Sequence, residues 1–287
     1  MATFLKGGFG LLGLVALTWA LQQDVRSPEY LRAQTATPGA LTCWEDDYGY
    51  IPPAGSWTDV TASFGGAACA IRATDRTVAC WGDNDYGRAN PPAGRFLKID
   101  SGTMHVCGIK EDGSVACWGT NSKGESTPPA GRFIDIAAAL QYSCGIKEDG
   151  TIVCWGDNAN GQLNPPAGTF VQLTAEGSHG CALKADGTVL CWGKNTSGST
   201  TPPAGTFRFI DAGYSYTCGI KTDETLKCWG YGGEGQTAAP TGTFSDVELG
   251  TQHACGLRKD GTIVCWGMNV AGMATPPSGT FSDLAVG

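Results

Sequence analysis

Short runs in which apolar and polar side chains alternate recur along most of the chain. In one stretch, such a run covers residues 133–137, a second covers residues 142–147 and a third covers residues 151–155. Alternation with a period of two is typical of β-strands, so this stretch predicts three of them. After the first two dozen residues, no segment has convincing helical periodicity. The pattern therefore predicts an all-β protein.

The loop between the second and third predicted strands sets how these strands pair. Residues 148–150, Glu-Asp-Gly, form a three-residue hairpin loop whose glycine takes the left-handed conformation. This register places Cys144 opposite Cys154, and directly opposed strand neighbours lie close enough for a disulfide. Two related loops depart from the pattern, and we expect strain or a different turn in both. The loop around Asp75 is one residue longer, and the other has Glu224 in place of the glycine.

The cysteines follow the same hairpin spacing. Of the 13 cysteines, all but Cys43 fall into pairs ten or eleven residues apart, and none belongs to a Cys-x-x-Cys motif. Metal sites usually bring such motifs, whereas pairs at hairpin spacing indicate disulfides formed in an oxidising compartment. The predicted disulfides join Cys69 with Cys80, Cys107 with Cys117, Cys144 with Cys154, Cys181 with Cys191, Cys218 with Cys228 and Cys255 with Cys265.

The strand pattern belongs to a repeat. Cys-Trp dipeptides follow one another at a constant step of 37 residues, from Cys43 to Cys265, and self-similarity at such a period indicates a solenoid or a propeller. The chain ends on a first strand, residues 281–286, and it begins with the remainder of a unit, in which Ala33 stands opposite Cys43. The two ends therefore complete a seventh unit, which closes a ring over residues 30–287 without open sheet edges.

The ring arrangement leads to predictions for the unpaired cysteine and for the repeated tryptophans. Cys43 faces an alanine in this arrangement, so we predict a free thiol, and a link to another chain is the alternative. The tryptophans of the Cys-Trp dipeptides follow a buried strand, so we predict that they pack between neighbouring units.

The repeat resembles a known family. The stretches "HVCGIKEDGSVACWGTNSKGE" from His105, "YSCGIKEDGTIVCWGDNANGQ" from Tyr142 and "HACGLRKDGTIVCWGMNVAG" from His253 are similar to the regulator of chromosome condensation repeat in its short bacterial form. The resemblance covers about residues 30–287 and implies a seven-bladed β-propeller. Family members include a nuclear nucleotide-exchange factor, a β-lactamase inhibitor and a light sensor, so the resemblance leaves the function open. This chain differs from the nuclear members in its shorter repeat, its acidity and its disulfides.

The N-terminus carries an apolar run over residues 7–21. This length suits the core of a signal peptide and nearly suffices for a bilayer span. We expect residues 1–23 to form a retained helical anchor, followed by a linker over residues 24–29, and cleavage after Ala20 is the alternative. The residues expected to face the membrane are Phe9, Leu11, Leu12, Leu14, Val15, Leu17 and Trp19.

Charge and motifs exclude several classes of function. The net charge of -8 and the lack of lysine or arginine runs argue against nucleic-acid binding. His105, His179 and His253 come from alternate units, so we predict no metal site and no cofactor. No nucleophile elbow, phosphate-binding loop or zinc-protease motif occurs, and we predict that the protein is not an enzyme. Perturbed carboxylates at the ring axis would favour an enzyme with an axial pocket.

The turn between the first and second strands varies most from unit to unit. Tyrosine and methionine, which occur in these turns, are enriched at protein interfaces. We predict a partner-binding surface at this end of the ring, formed by Met104, His105, Gln141, Tyr142, Tyr214, Tyr216, Gln252 and His253.

Together these features predict a non-catalytic protein-binding propeller. We expect it to be tethered on the outer side of the cytoplasmic membrane, in the periplasm or extracellular space, as an accessory subunit of a larger membrane complex. The alternatives are a secreted protein inhibitor of an enzyme such as a β-lactamase and, as a weaker alternative, an enzyme with an axial pocket.

Overall fold

Antiparallel three-stranded sheets account for nearly all of the regular structure. The computed structural model describes residues 3–7, 40–44, 53–63, 66–272 and 274–286. Within these ranges the strands form seven sheets, and each sheet is one blade of a β-propeller. Short 3-10 turns lie at Asp85–Gly87, Thr196–Gly198 and Val270–Gly272. The all-β prediction is confirmed.

The strands, numbered along the chain, fall into blades I to VII. Blade VII combines β1 (Thr3–Gly7) and β2 (Ala40–Trp44) with β21 (Phe281–Val286). Blade I holds β3 (Trp57–Ala62), β4 (Ala67–Arg72) and β5 (Val78–Gly82). Blade II holds β6 (Phe96–Ser101), β7 (His105–Lys110) and β8 (Val115–Gly119), and blade III holds β9 (Phe133–Ala138), β10 (Tyr142–Lys147) and β11 (Ile152–Gly156). Blade IV holds β12 (Gln172–Glu176), β13 (His179–Leu183) and β14 (Val189–Gly193), and blade V holds β15 (Phe207–Ala212), β16 (Tyr216–Lys221) and β17 (Leu226–Gly230). Blade VI holds β18 (Phe244–Leu249), β19 (His253–Arg258) and β20 (Ile263–Gly267).

The hairpin register agrees with the prediction. Cys144 pairs with Cys154 across β10 and β11, and the loop closes through a hydrogen bond from the Gly150 amide to the Lys147 carbonyl, at 2.8 Å. Gly150 has a φ of +82°, the left-handed conformation that a side chain disfavours. All six predicted disulfides are formed.

Both departing hairpin loops have unusual backbone conformations. Glu224 takes a φ of +69° where other units have glycine, and Arg76 in the longer loop takes a φ of +61°. A positive φ costs a residue with a side chain about 1 kcal/mol or more. The expectation of strain at these two loops is confirmed.

The core lies between blades. Phe133 and Ile136 of blade III pack with Cys107 and Ile109 of blade II, and Trp155 joins the same cluster. The Trp155 indole also donates to the carbonyl of Glu125 in the connection between these blades, at 2.9 Å. The predicted packing of the Cys-Trp tryptophans between units is confirmed. Burying one large apolar side chain contributes about 1.5–3 kcal/mol, so neighbouring blades stabilise one another.

Blade VII joins strands from both ends of the chain, but its middle strand differs from the prediction. β1 pairs with β2 and with β21, which places Phe4 rather than Ala33 opposite Cys43. Thr3–Gly7 forms a strand where the sequence predicts a helix, because hydrophobic periodicity cannot distinguish a strand from a helix over five residues. Ala33 and the predicted membrane-facing residues from Phe9 to Trp19 lie outside the described residues. Within the described residues, no helix is long and apolar enough to cross a membrane.

Candidate functional site

The first strands of the blades surround a cavity of about 190 Å³ on the ring axis. Among the described residues that line it, one side chain, Lys98, is a cation, and seven are carboxylates. These acidic residues are Asp59, Asp100, Glu176, Asp211, Asp246, Glu248 and Asp283. Acidic side chains therefore dominate the charged part of the described cavity lining.

Several of these carboxylates join neighbouring blades. Asp100 accepts a hydrogen bond from the amide of Ala138 in the next blade, and Asp211 accepts one from the amide of Leu249, each at 2.8 Å. Asp59 does the same for the amide of Ile99, at 3.0 Å. The innermost strand of each sheet is an edge strand with unpaired amides, so these side chains supply the missing acceptors.

Burial in the axis shifts the acid–base equilibria of this group. Desolvation raises the pKa of Asp100 to about 8 and that of Glu176 to about 7. The pKa values of Asp211 and Asp246 are raised to about 7, mainly by burial, with neighbouring carboxylates contributing at Asp246. Burial, together with the surrounding acids, also raises the pKa of Glu248 well above its usual range. A part of the axial group is therefore protonated near neutral pH.

The one axial lysine is engaged by the protein itself. Lys98 forms an ion pair with Asp135, whose other carboxylate oxygen accepts from the Leu173 amide at 2.8 Å. Although burial opposes the charge on Lys98, the surrounding acids outweigh it and raise its pKa. Lys98 therefore pairs with Asp135, and no ion pair to Asp100, Glu176 or Glu248 is found in the described part of the chain.

Sequence reasoning missed the axial acids, although a signal is present. The first strands of six blades open on an aromatic residue, such as Phe133 or Phe244, and most side chains two and four positions later line the axial cavity. Asp135 and Asp246 hold the first of these positions, and Glu248 holds the second. Comparing these two positions across the repeat would have revealed six of the seven described acids that line the cavity, and Glu176, at the end of β12, lies outside both positions.

Exposed apolar side chains concentrate on one face of the ring. We call this the upper face; it carries the turns between first and second strands and the start of each connection between blades. In blade V the Tyr231 amide donates to the Ser215 carbonyl, which joins these two parts. Among the described residues, the exposed large apolar side chains of the upper face are Tyr86, Met104, Tyr214, Tyr231 and Val270, and Val171 is the one on the opposite, lower face.

The predicted partner-binding residues divide into two groups. Met104, Gln141 and Tyr214 are exposed on the upper face, and Gln252 is half-buried there. The other four, His105, Tyr142, Tyr216 and His253, are fully buried, so their assignment to a binding surface is wrong. They begin the second strand of their blades, where the side chain points into the neighbouring blade: the Tyr142 hydroxyl donates to the His179 carbonyl of blade IV, at 2.6 Å.

The histidines fill the same structural position. His179 lies 2.9 Å from the hydroxyl of Thr217 in the next blade, and burial lowers the pKa of this imidazole to about 4. Within the described part of the chain, no group of three or more His, Cys, Asp or Glu side chains is arranged to hold a metal ion.

Comparison with known proteins places the chain in a family. The sequence profile described as the regulator of chromosome condensation (RCC1) repeat matches residues 96–125, 133–162, 170–199, 207–236 and 244–272. These matches cover slightly more than half of the chain. The protein belongs to the RCC1 repeat family. The resemblance predicted from the sequence is confirmed, and each matched RCC1 repeat begins at the first strand of a blade or two residues before it.

Several solved structures have a similar fold. The ectodomain of the receptor kinase CR4 from Physcomitrella patens is 29% identical, with a TM-score of 0.71 over 83% of this chain and 68% of that chain. The CRINKLY WD40 ectodomain of the Arabidopsis thaliana receptor kinase ACR4 is 27% identical, with a TM-score of 0.67 over 79% of this chain and 86% of that chain. Prp20p from Saccharomyces cerevisiae, described with its binding properties to Gsp1p and histones, is 15% identical, with a TM-score of 0.65 over 77% and 74%. No curated protein matches the chain by sequence.

Proposed function

We propose that this protein is a non-catalytic, protein-binding propeller that engages its partner through the upper face. The observation that carries this proposal is the placement of exposed apolar side chains: all but Val171 of those in the described residues lie on the upper face. Large apolar side chains that a rigid scaffold holds in water on one side mark an interaction surface.

The compartment of this function is outside the cytoplasm. Six disulfides indicate an oxidising environment, such as the periplasm or the extracellular space. Two of the similar structures are ectodomains of receptor kinases, and a third, Prp20p, is described as binding other proteins. RCC1 repeat propellers generally serve binding and regulation rather than catalysis, which supports the same proposal.

The proposal includes a tether to the membrane through residues 1–23 and a role as an accessory subunit of a membrane complex. A tether of this kind would require a different middle strand in blade VII. Thr3–Gly7 forms the middle strand of that blade, and a segment cannot lie in the sheet and in a bilayer at once. In a tethered molecule the segment around Ala33, which the repeat pattern aligns with the same position, would take the place of β1.

The axial carboxyls favour a second candidate function, an enzyme that uses the axial cavity. Groups with a pKa near 7, such as Glu176 and Asp211, suit general acid–base chemistry. However, both carboxylate oxygens of Asp211 already accept hydrogen bonds from neighbouring blades, one from the Thr174 hydroxyl and one from the Leu249 amide. The structural role of such carboxylates explains their burial without a reaction, and we therefore place binding first.

One preparation tests the tether and the binding together. The protein is purified gently from its native membranes, and the non-reduced intact mass is measured together with everything that co-purifies. A mass that retains residues 1–23, with membrane proteins in stoichiometric amounts, is the expected result. A mass that begins after Ala20, with no protein attached, would contradict the tethered subunit and leave a secreted binder or inhibitor.

The upper face is tested separately by substitution. In the same preparation, the triple variant Tyr86→Ala/Tyr214→Ala/Tyr231→Ala should lose the co-purifying protein because it removes the exposed tyrosine side chains of the described upper face. Val171→Ala on the lower face is the control and should retain it. Equal retention by both variants would show that the partner binds elsewhere.

A further inference from the structure

An apolar groove opens on the upper face at blade II. It has a volume of about 300 Å³, and its apolar lining comes from Tyr86, Met104 and Leu140. Tyr86 is 67% exposed and Met104 is 38% exposed. The polar lining, which includes Thr103 and Gln141, consists of groups that can hydrogen-bond to a peptide backbone.

The protein holds this groove rigidly. Arg88 is buried, and its guanidinium pairs with Asp83 at 2.9 Å and donates to the carbonyl of Thr103 at 3.0 Å. The Arg88 carbonyl in turn accepts from the indole of Trp118, at 2.9 Å. These contacts fasten the loop that carries Tyr86 to blade II. A preformed groove loses little conformational entropy when a ligand binds.

The groove shares a wall with the axial cavity. Thr103 lines both. On the axial side of this wall, the acids nearest the upper face occupy the last two positions of their first strands; they are Asp100, Glu176, Asp211 and Glu248. Lys98 lies one layer lower and pairs with Asp135. No hydrogen bond to the Glu248 carboxyl group is found among the described residues, so its oxygens are free to accept from a cation. Burial raises the pKa of Glu248, and a bound cation would favour its ionised form.

The remaining charges of the upper face do not oppose a cation. Apart from the buried Arg88, the described turns and connections of this face carry two cations, Lys123 and Lys194, while Asp85, Asp157 and Glu234 are among its acids. The lower face differs, because it carries more basic residues, several of which are paired with acids, as Arg132 is with Glu148. Charge complementarity therefore favours a basic partner on the upper face.

We propose that the groove and the upper end of the axial cavity form one two-part docking site for a partner protein. The occupant is a loop that carries a large apolar side chain next to an arginine or lysine. The apolar side chain lies against Tyr86 and Met104, and the cationic side chain passes Thr103 to reach Glu248 and its neighbours. This inference rests on the proposed function and specifies the chemistry of the partner.

Synthetic peptides test the proposal without knowledge of the natural partner. Binding of three short capped peptides to the full, disulfide-intact chain is measured by calorimetry: one contains Phe-Arg, one Phe-Gln and one Ala-Arg at the same positions. The Phe-Arg peptide should bind with a Kd below about 1 mM, and each of the other two should bind at least about tenfold more weakly. Failure of the Phe-Arg peptide to bind at about 1 mM, or equal affinity of all three, would overturn the proposal.

Variants separate the two halves of the site. Met104→Ala and Glu248→Gln should each weaken binding of the Phe-Arg peptide by about tenfold, and thermal unfolding verifies that both variants are folded. Val171→Ala, with the same exposure as Met104 but on the lower face, and Glu148→Gln, an exposed acid of the lower face, are the matched controls and should leave binding unchanged.

Two further outcomes distinguish the sources of failure. If Met104→Ala weakens binding and Glu248→Gln does not, the axial half is wrong and the protein-binding upper face of the proposed function stands. If spermidine alone binds as tightly as the Phe-Arg peptide, and Glu248→Gln weakens both equally, the axis is a site for small cations and the docking proposal is overturned.

Discussion

The Nε2 atom of His105 in blade II lies 2.7 Å from the hydroxyl oxygen of Ser143 in blade III. Both side chains are fully buried. The Ser143 hydroxyl donates its hydrogen to the Glu125 carbonyl, at 3.1 Å, so it accepts from His105 and assigns the proton of the neutral imidazole to Nε2. The histidine is therefore a link between blades rather than a surface group.

Removal of this link should destabilise the ring. Ser143→Ala leaves the imidazole buried without an acceptor, so the free energy of unfolding should fall by about 1–3 kcal/mol in guanidinium titrations. Ser278→Ala is the control, because Ser278 is exposed and other repeats have alanine at this position. Equal midpoints for the two variants would show that the link contributes nothing.

Stability should fall as the pH rises from 6.5 to about 8. In this range the folded chain retains protons on axial carboxyls, such as Asp100 with a pKa of about 8 and Glu176 with a pKa of about 7, that the unfolded chain has already lost. Deprotonation therefore favours unfolding. The buried histidines, with pKa values of about 4, act in the opposite direction and only below pH 6.5.

Thermal unfolding across this pH range measures the effect. Glu248→Gln removes one of the axial groups with a raised pKa, so it should flatten the decline in Tm, whereas Glu148→Gln on the lower face should reproduce the wild-type curve. A Tm that stays constant or rises between pH 6.5 and 8 would contradict the axial pKa shifts.

A glycine at the turn after β6 should not tolerate a side chain. A Cβ atom at Gly102 would lie 2.0 Å from the carbonyl oxygen of Ala139 in the next blade, so Gly102→Ala should lower the free energy of unfolding by about 1–3 kcal/mol or more. Gly124→Ala provides the comparison, because a Cβ atom there meets nothing within 4 Å. This variant should therefore lose only the free energy that a positive φ costs a residue with a side chain. If Gly102→Ala were the milder variant, the close approach of the two blades would be refuted.

Cys43 should be the one thiol open to alkylation. The chain has 13 cysteines, and six disulfides account for the rest. Iodoacetamide added to denatured, unreduced protein should therefore increase the intact mass by a single carbamidomethyl group. An intact mass without a carbamidomethyl group, together with a dimer that dissociates when a reductant is added, would indicate a disulfide from Cys43 to another chain.

Local features of the fold were readable from the sequence, because their causes lie within a few residues. Loop 148–150 and the spacing of Cys144 and Cys154 are parts of one hairpin, so turn geometry alone determined their pairing. The identity of the middle strand of blade VII could not be predicted from such local patterns. Phe4 and Cys43 lie far apart in the chain, and two segments had suitable patterns for the same position.

The sequence by itself determined the repeat, the strands of six blades, the six disulfides and the family. Tertiary structure alone decided which side chains share a site. Ring closure brings Asp100, Glu176 and Glu248 from three blades to one axis, and it buries His105 and Tyr142 against neighbouring blades while Met104 stays exposed. The physical reason is that burial and charge at the axis depend on how whole blades rotate against one another, and no local pattern within a repeat specifies that.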